Sequence, residues 1–486
     1  MLFRSILLSQ AGRCCDPGRE ALSAPVYPYP IQSRSSINLW DPDWKVGNVD
    51  SYSVGFQRGL SKDMALEVRY IGTRGHDLFG GENWNEINIV ENGFLDEFKN
   101  AQKNLYANVA ANRGQSLAYF GPNTGTVPLP IFLAYFNGQP AANAGDRTLY
   151  TGSNWTNTTI VGRFAQLNPL PLTSAGTDLQ GSATLRNNAL NAGLPSNFFT
   201  LNGDVSSVNV SRSKESTRYD SVQVNLRRRL SGGFSLDTNY TYSKRWVSRL
   251  DSLRVNRYLV RSTDEVPHAL KMTATWDLPV GRGRRFGTDM NAIADGIAGG
   301  WSVNLTGKVQ SGQVLNYGNV RLIGMDEKEL QDSIGYYEVT ATNGQTRVYN
   351  LPLDIINATA AAFNFNVLGY ANGAPSTWGR RYLAPANGPD CIQVVRGDCA
   401  PKDLFITAPP YTRFDFSAKK AVRTGGRTNI VLEIDVLNMF NAINFNPTIS
   451  TSTNTDNYRV TSSYSDVNGT FDPGSRVGQL VLRFNF

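Results

Sequence analysis

The feature that most constrains this chain is a repeated alternation of apolar and polar residues. In one segment Val222, Val224 and Leu226 alternate with glutamine, asparagine and arginine. Because successive side chains of a β-strand point to opposite faces, this pattern predicts strands with one apolar and one polar face. Nine such segments can be recognised, and they begin near residues 51, 64, 219, 234, 268, 301, 414, 428 and 476.

The lengths of these segments and of their connections favour a membrane. Several segments run to about ten residues, which a tilted membrane-crossing strand needs, whereas strands of globular proteins usually have about five or six. Three gaps are short and three are long: 59–63, 230–233 and 421–427 against 73–218, 312–412 and 441–475. The gap 245–265 is intermediate, and 279–300 is longer than its place in the series predicts. Short turns at one end and long loops at the other are typical of outer-membrane barrels.

We therefore expect an all-β fold, an antiparallel transmembrane β-barrel with long extracellular loops. A soluble β-sandwich would also alternate, with the apolar face as its core, but strand length, loop asymmetry and an aromatic C-terminal strand favour the barrel. Lipid would then contact the apolar face, and the polar face would line water or a plug. That polar face carries the charged residues Glu67, Arg69, Arg227, Lys271, Lys308 and Glu433.

The last predicted strand, residues 476–486, runs to the final residue of the sequence. Four apolar side chains fall on one of its faces, and we interpret it as a barrel-assembly strand: Leu480, Leu482, Phe484 and Phe486.

Little in the chain is typical of catalytic or metal chemistry. The 486 residues include two His and four Cys, and they contain no His-Glu-x-x-His, Gly-x-Ser-x-Gly or Cys-x-x-Cys motif. The glycine-rich segment 281–287 lacks the closing Lys-Ser/Thr of a phosphate-binding loop. We therefore expect a protein that is not an enzyme and that has no cofactor or metal site.

Basic residues recur at the predicted short turns, in segments 227–229, 282–285 and 419–427. Attraction to anionic phospholipid of the periplasmic leaflet would explain this placement. Nucleic-acid binding is the alternative, and it is disfavoured because the basic residues are dispersed over turns rather than gathered on one element.

Two features fall in the predicted long loops. Cys391 and Cys399 are eight positions apart, and in an oxidising compartment we expect them to form a disulfide. A helix with Asn92 as candidate N-cap is predicted by apolar residues at helical spacing: Phe94, Leu95, Phe98, Ala101, Leu105 and Val109. We expect this helix to pack its apolar stripe against the barrel rim or other loops.

With these segments in place, the chain resembles the TonB-dependent outer-membrane receptors, and within them the branch with an Oar-like barrel. Four stretches carry the resemblance, and they occur in order along residues 25–486. They are DSYSVGFQRGL (50–60) with LEVRYIGTRG (66–75), NEINIVENGFLDEF (85–98), YDSVQVNLRRR (219–229) with NYTYSK (239–244), and DVLNMFN (435–441) with the terminal RFNF (483–486).

The resemblance implies a 22-stranded barrel with a plugged lumen. Nine strands are recognisable here. No segment resembles the plug, the TonB box or the N-terminal carboxypeptidase-regulatory-like domain that full-length members often carry. We therefore expect residues 25–486 to form the C-terminal part of such a barrel, and we leave residues 1–24 unassigned as a spurious or truncated start.

The resemblance also implies a function in the outer membrane of a Gram-negative-type bacterium. It implies energy-coupled uptake of a solute, a glycan, peptide or metal chelate. The expected partners are outer-membrane lipid, the TonB system acting through a plug and TonB box absent from this chain, and the barrel-assembly machinery. Two other functions remain open at this point: a surface adhesin or binding protein without transport, and a soluble secreted lectin.

Overall fold

The computed structural model describes residues 35–165, 171–340, 344–363, 381–387, 391–425, 428–465, 470, 472 and 474–486. The unassigned start, residues 1–24, lies outside these ranges.

The described residues contain eighteen strands, numbered here in chain order. They are β1 (Ser36–Trp40), β2 (Asn48–Gly59), β3 (Met64–Asn83), β4 (Ser207–Ser231), β5 (Phe234–Arg249), β6 (Tyr258–Arg261), β7 (His268–Asp277), β8 (Trp301–Gln310), β9 (Val314–Asn316), β10 (Val320–Ile323), β11 (Tyr337–Thr340), β12 (Thr346–Tyr349), β13 (Tyr382–Pro385), β14 (Phe405–Thr407), β15 (Tyr411–Gly425), β16 (Thr428–Leu437), β17 (Arg459–Val460) and β18 (Val477–Asn485).

Eight α-helices are found in the same ranges. They are α1 (Phe94–Ala110), α2 (Pro130–Asn137), α3 (Thr158–Ala165), α4 (Pro171–Gly181), α5 (Ala183–Asn191), α6 (Ala292–Ala298), α7 (Glu327–Asp332) and α8 (Leu353–Phe363). None of the helices in the described residues is long and apolar enough to cross a membrane.

One large antiparallel sheet forms the body of the molecule. Its nine main strands follow the order β18-β16-β15-β8-β7-β5-β4-β3-β2, while β1 pairs with β4 and β6 pairs with β5 at the side. These nine strands are the nine alternating segments predicted above, and the antiparallel all-β prediction is confirmed. The register keeps the apolar residues in rows across the sheet, as with Val54, Tyr70 and Val222, which lie directly opposite one another.

Two strands are much longer than predicted. β3 has 20 residues and β4 has 25, so the predicted loop 73–218 is wrong and the connection covers residues 84–206. An irregularity in the β3–β4 register near Gly75 and Leu78 interrupts the alternation there. Beyond this point the strands pack against β1 and neighbouring side chains, as where Trp44 stacks on Phe79, so the lipid-facing alternation that marks a strand in the sequence is lost.

The compact apolar cores lie in the long connections rather than within the sheet. The described residues of the connection 84–206 form five α-helices around a core that includes Phe94, Phe98 and Phe132. The connection between β8 and β15 contains a second core that includes Leu330, Ile355 and Leu383. Its six short strands, β9 to β14, pair outside the main sheet, so they add no strand to its path. We call these two cores and the connections that carry them the loop layer.

The apolar face of the sheet is exposed. Val54 keeps 72% of its surface accessible and Leu480 keeps 71%, whereas Phe94 and Phe98 in the loop layer keep none. A soluble β-sandwich would bury this face against a second sheet. In the described residues β2 pairs along its length with β3 and β18 with β16, so each is an edge of an open sheet.

Candidate functional site: the polar face of the sheet

The polar face of the sheet lies opposite the apolar face and is formed by the intervening residue of each strand. Strand pairing places Arg69 opposite Gln223, and Asn225 opposite Asn239. Together with Glu67, which forms an ion pair with Arg69, these side chains line an open hollow of about 170 Å³. The hollow is walled by amide and charged groups, which are suited to hydrogen-bond a polar solute.

A row of three cationic residues crosses the polar face on neighbouring strands. Lys271 lies opposite Lys308, and Lys308 lies opposite Arg413. Acidic groups lie close by, since Arg413 contacts Asp415 at 3.1 Å and Asp472 at 3.7 Å. The polar face therefore carries both signs of charge.

The connection between β16 and β18 folds over this row. Gln310 Nε2 donates to the Tyr464 hydroxyl at 2.7 Å, and the Lys308 ammonium donates to the Thr470 hydroxyl. The Tyr464 ring also packs on Tyr411, with ring centroids 4.9 Å apart. Segment 441–475 was predicted as a long extracellular loop, and the structure brings its residues Tyr464, Thr470 and Asp472 onto the polar face.

Asp472 is buried where the β16–β18 connection folds onto the polar face. Its carboxylate accepts hydrogen bonds from the backbone N–H and from the side-chain amide of Asn444, at 3.1 and 3.0 Å. Asn444 in turn binds the backbone of Thr412 in both directions. The loop is therefore held to the start of β15 by a closed set of hydrogen bonds.

A second set of polar contacts is centred on Asp403, in the connection between β8 and β15. Asp403, whose side chain is 4% exposed, accepts hydrogen bonds from Arg249 at 2.7 Å, Arg396 at 3.1 Å and Asn316 at 2.8 Å. Charge-assisted hydrogen bonds of this kind are stronger than neutral ones. The end of β5 is thereby fixed to the connection between β8 and β15.

The connection after β5 is also tied to the first loop. Arg257 and Arg212 both bind Glu82 at the top of β3, at 2.7 and 3.1 Å. Arg254 forms an ion pair with Glu91, and these hydrogen bonds lower the pKa of the Glu91 carboxyl to about 2. These carboxylates and guanidiniums lie in the connection 84–206, in the connection after β5, or at the strand ends beneath them.

The predicted helix is present as α1. Its residues Phe94, Phe98 and Leu105 are fully buried in the first core. The residue that precedes the helix is Gly93, with φ of 77°, and not Asn92. Asn92 still assists the start of the helix, because its side-chain oxygen accepts a hydrogen bond from the backbone N–H of Phe94 at 3.1 Å.

Glu97 lies on the buried side of α1, where its carboxylate accepts a hydrogen bond from the backbone N–H of Phe132 at 2.7 Å. Burial raises the pKa of Glu97 to about 8, and the hydrogen bonds from the backbone oppose this rise only in part. The sequence places this glutamate in the first turn of a helix, which by itself indicates an exposed acidic residue.

Cys391 and Cys399 are joined by a disulfide, with an S–S distance of 2.02 Å. Within the closed segment, Ile392 and Val394 pack against the first core, although the segment belongs to the connection between β8 and β15. The disulfide therefore closes the part of the second long loop that rests on the first.

The C-terminal strand pairs with β16, and Leu480, Leu482 and Phe484 lie opposite Ile434, Leu432 and Ile430. Between 54% and 71% of each of these three strand residues is exposed, and Phe486 beyond the strand is fully exposed. All of them lie on the apolar side of the sheet, and their role in assembly stays a prediction.

A comparison with protein families supports the outer-membrane β-barrel inferred from this sheet with one apolar and one polar face. The family model of an outer membrane β-barrel domain matches residues 15–479. The chain belongs to this family. A solved structure that this β-barrel domain matches is the outer membrane transporter YddB from Escherichia coli, with a TM-score of 0.30 and 6% sequence identity. The alignment covers 93% of this chain and 34% of that one, so the chain spans about a third of that transporter. No curated protein matches the sequence.

Membership of the family places this β-barrel domain in the outer membrane, with lipid against its apolar face. An apolar hollow of about 450 Å³ on that face is lined by side chains that include Trp276, Leu305 and Phe414. Beside it, Gly307 of β8 has no side chain, and the Phe414 ring lies across it.

Sequence reasoning missed several polar residues that shape the site of this β-barrel domain. Tyr464, Thr470 and Asp472 reach the polar face, and Asp403 joins the end of β5 to the connection between β8 and β15, yet each lies in a stretch without periodic pattern. Their contacts are to residues far away in sequence, so no local signal marks them.

Proposed function

We propose that residues 25–486 are the C-terminal part of a receptor that imports a solute across the outer membrane with energy supplied through TonB, and that the protein is not an enzyme. The observation that carries this proposal is the contact between the β16–β18 connection and the polar face. A loop that reaches both the cell surface and Lys308 and Gln310 of the sheet links a capture surface to a passage.

The two-faced sheet supports transport over simple anchoring. Lipid needs only the apolar face, whereas the opposite face carries charged and amide side chains in rows such as Lys271, Lys308 and Arg413. Such a face is stable only against water or against another polar surface, such as a plug. The resemblance to TonB-dependent receptors supports the second of these, with the plug and the TonB box outside the residues that form the barrel.

The two open edges of the sheet indicate a barrel that has more strands than the nine main strands described here. Within the described residues, β2 and β18 present unpaired backbone groups along their outer sides, and lipid does not tolerate such groups. We propose that these two edges pair with further strands of the natural receptor. The substrate class suggested by the resemblance is a glycan, a peptide or a metal chelate.

The test is a deletion of the gene in its host, followed by growth on a peptide digest, a glycan mixture or a ferric chelate as the limiting nutrient. We expect the deletion strain to grow more slowly on one of the three nutrients. The wild-type gene should restore normal growth, and inactivation of TonB should remove this restoration. Loss of surface attachment with unchanged growth on all three would favour the adhesin and overturn the proposal.

A pair of variants links this phenotype to the polar face. Lys308→Glu reverses a charge beneath the folded loop, whereas Lys62→Glu reverses an exposed charge at the short β2–β3 turn. We expect the first to lower uptake and the second to leave it unchanged, at equal amounts of receptor in the outer membrane.

A further inference from the structure

The connection between β7 and β8, residues 278–300, has an unexplained form. It lies at the end of the sheet where β2–β3 and β4–β5 are joined by short turns, yet it contains the helix α6. In an outer-membrane barrel the end with short turns faces the periplasm. We call residues 279–300 the periplasmic hairpin.

Two side chains of the sheet show on which side the periplasmic hairpin lies. Trp301 and Lys420 are opposite each other, and Lys420 is also opposite Leu432, so both belong to the apolar, outward rows. The Trp301 indole N–H donates to the carbonyl oxygen of Ile297 at 2.9 Å. The Lys420 ammonium donates to the carbonyl oxygens of Asp295, at 3.1 Å, and of Gly299.

These contacts hold α6 against the lipid-facing side of the sheet. The last carbonyl groups of a helix have no partner within the helix and carry a partial negative charge. Lys420 is 6% exposed although it belongs to a lipid-facing row, and the carbonyl groups at the end of α6 satisfy its charge. The positive charge of Lys420 and the partial negative charge at the end of α6 therefore offset each other at the periplasmic edge of the lipid-facing rows.

The outer side of the periplasmic hairpin is apolar. Ile293 and Ile297 are four residues apart in α6, so they share one side of the helix, and they are 76% and 71% exposed. Phe286 in the same hairpin is 56% exposed. The periplasmic hairpin thus exposes three large apolar side chains, and its helix is held against the lipid-facing side of the sheet.

Basic side chains accompany these apolar ones. Arg282, Arg284 and Arg285 are all exposed, and the Arg285 guanidinium lies 5.5 Å from the centre of the Phe286 ring. Asp295, the acidic residue of α6, is engaged within the hairpin, since its carboxylate accepts a hydrogen bond from the Arg282 backbone N–H at 2.7 Å. Phosphate groups at a membrane surface attract arginines placed in this way.

We propose that the periplasmic hairpin is an interfacial anchor that binds anionic phospholipid of the periplasmic leaflet. α6 lies in the headgroup region, Ile293, Ile297 and Phe286 enter the acyl boundary, and the three arginines contact lipid phosphates. Lipid is the occupant because the surface is continuous with the lipid-facing side of the barrel and combines exposed apolar residues with positive charge.

The experiment uses the whole receptor reconstituted in vesicles of phosphatidylethanolamine and phosphatidylglycerol. Nitroxide labels are attached to Ile293→Cys, Ile297→Cys and, as a water-exposed control at the same end, Lys62→Cys, each with Cys14→Ser and Cys15→Ser. Frequent collision of the nitroxide with oxygen shows that the label lies in lipid. Frequent collision with a water-soluble nickel chelate shows that the label lies in water. We expect positions 293 and 297 to favour oxygen and position 62 to favour nickel.

Two comparisons complete the test. Arg284→Glu with Arg285→Glu, or a change to phosphatidylcholine vesicles, is expected to cause a several-fold rise in nickel access at position 293. Unchanged protection in both cases would overturn the phosphate contacts. Nickel access at positions 293 and 297 as high as at position 62, or protection gained only on adding a soluble periplasmic extract, would overturn the anchor.

Discussion

Among single residues, the burial of Glu97 differs most from what its neighbours in the sequence suggest. It follows the exposed Asp96 in the first turn of α1, where acidic side chains are favoured by the helix dipole. Glu97, however, points into the first core of the loop layer and contacts the start of α2 through the backbone of Phe132. Burial in this core raises the pKa of the Glu97 carboxyl to about 8.

This burial makes the stability of the loop layer depend on pH. The pKa of Glu97 is about 8 in the folded protein against an ordinary value of 4.5, so the folded state holds a proton that the unfolded state releases. The protonated Glu97 carboxyl leaves the loop layer at its full stability below the ordinary pKa of 4.5. This stability is lost as the pH rises through the folded pKa of about 8. We expect a loss of a few kcal/mol over this window, because one pKa unit corresponds to about 1.4 kcal/mol.

The measurement is hydrogen exchange of α1 and α2, corrected for intrinsic rates, at about pH 5 and about pH 9. Glu97→Gln removes the titrating group and keeps an oxygen for the Phe132 N–H, so its protection should change little between the two conditions. Asp96→Asn is the matched control and should keep the wild-type pH dependence. A wild-type loop layer equally protected at both pH values would contradict the prediction.

At the scale of elements, the contact between β8 and β15 depends on the absence of a side chain. A Cβ atom at Gly307 would lie 2.5 Å from the Phe414 ring and 3.0 Å from Met272. Real Cβ atoms do not approach that closely, so the ring must move if the position is filled. The flat packing of Phe414 across the strand therefore requires glycine at 307.

We expect Gly307→Ala to destabilise the barrel by about 1–3 kcal/mol, the usual cost of overpacking a close contact. Gly55→Ala in β2 is the matched control, because the nearest atom to its Cβ would be 3.9 Å away. Urea unfolding in detergent, followed by the heat-dependent shift in gel mobility, measures both. Equal midpoints for the two variants would show that Phe414 moves without cost.

At the scale of the whole molecule, the fold separates two ends of a membrane-spanning sheet. The loop layer, with its helices, disulfide and arginine contacts, gathers at one end, and the short turns with the periplasmic hairpin gather at the other. Since outer membrane barrels carry their long loops on the extracellular side, we expect the loop layer to face the cell exterior.

Epitope tags at opposite ends test this orientation. A tag inserted after Gly145, which is exposed in the loop layer, should bind antibody on intact cells. A tag after Gly232, which is exposed in the two-residue β4–β5 turn and has open space where a side chain would project, should bind only after the outer membrane is permeabilised. Staining of both tags on intact cells would contradict the orientation.

The sequence by itself determined the strands that contact lipid, the helix α1 and the spacing that places Cys391 near Cys399. These features are local: alternation follows from having lipid on one face and polar surroundings on the other, and helical spacing follows from one buried stripe. Where β1 and loop side chains pack on the strands, as at the upper parts of β3 and β4, alternation disappears and the strand ends were predicted wrongly.

Only the tertiary structure decided how the connections are arranged. The burial of Glu97, the inward fold of Tyr464 and Asp472, and the contact of Lys420 with the end of α6 all join residues that are distant in sequence. Such contacts depend on which surfaces the sheet brings together, and a single side chain carries no local sign of its distant partner. The two faces of the sheet are therefore readable in the sequence, whereas the surfaces that cover its ends are set by packing.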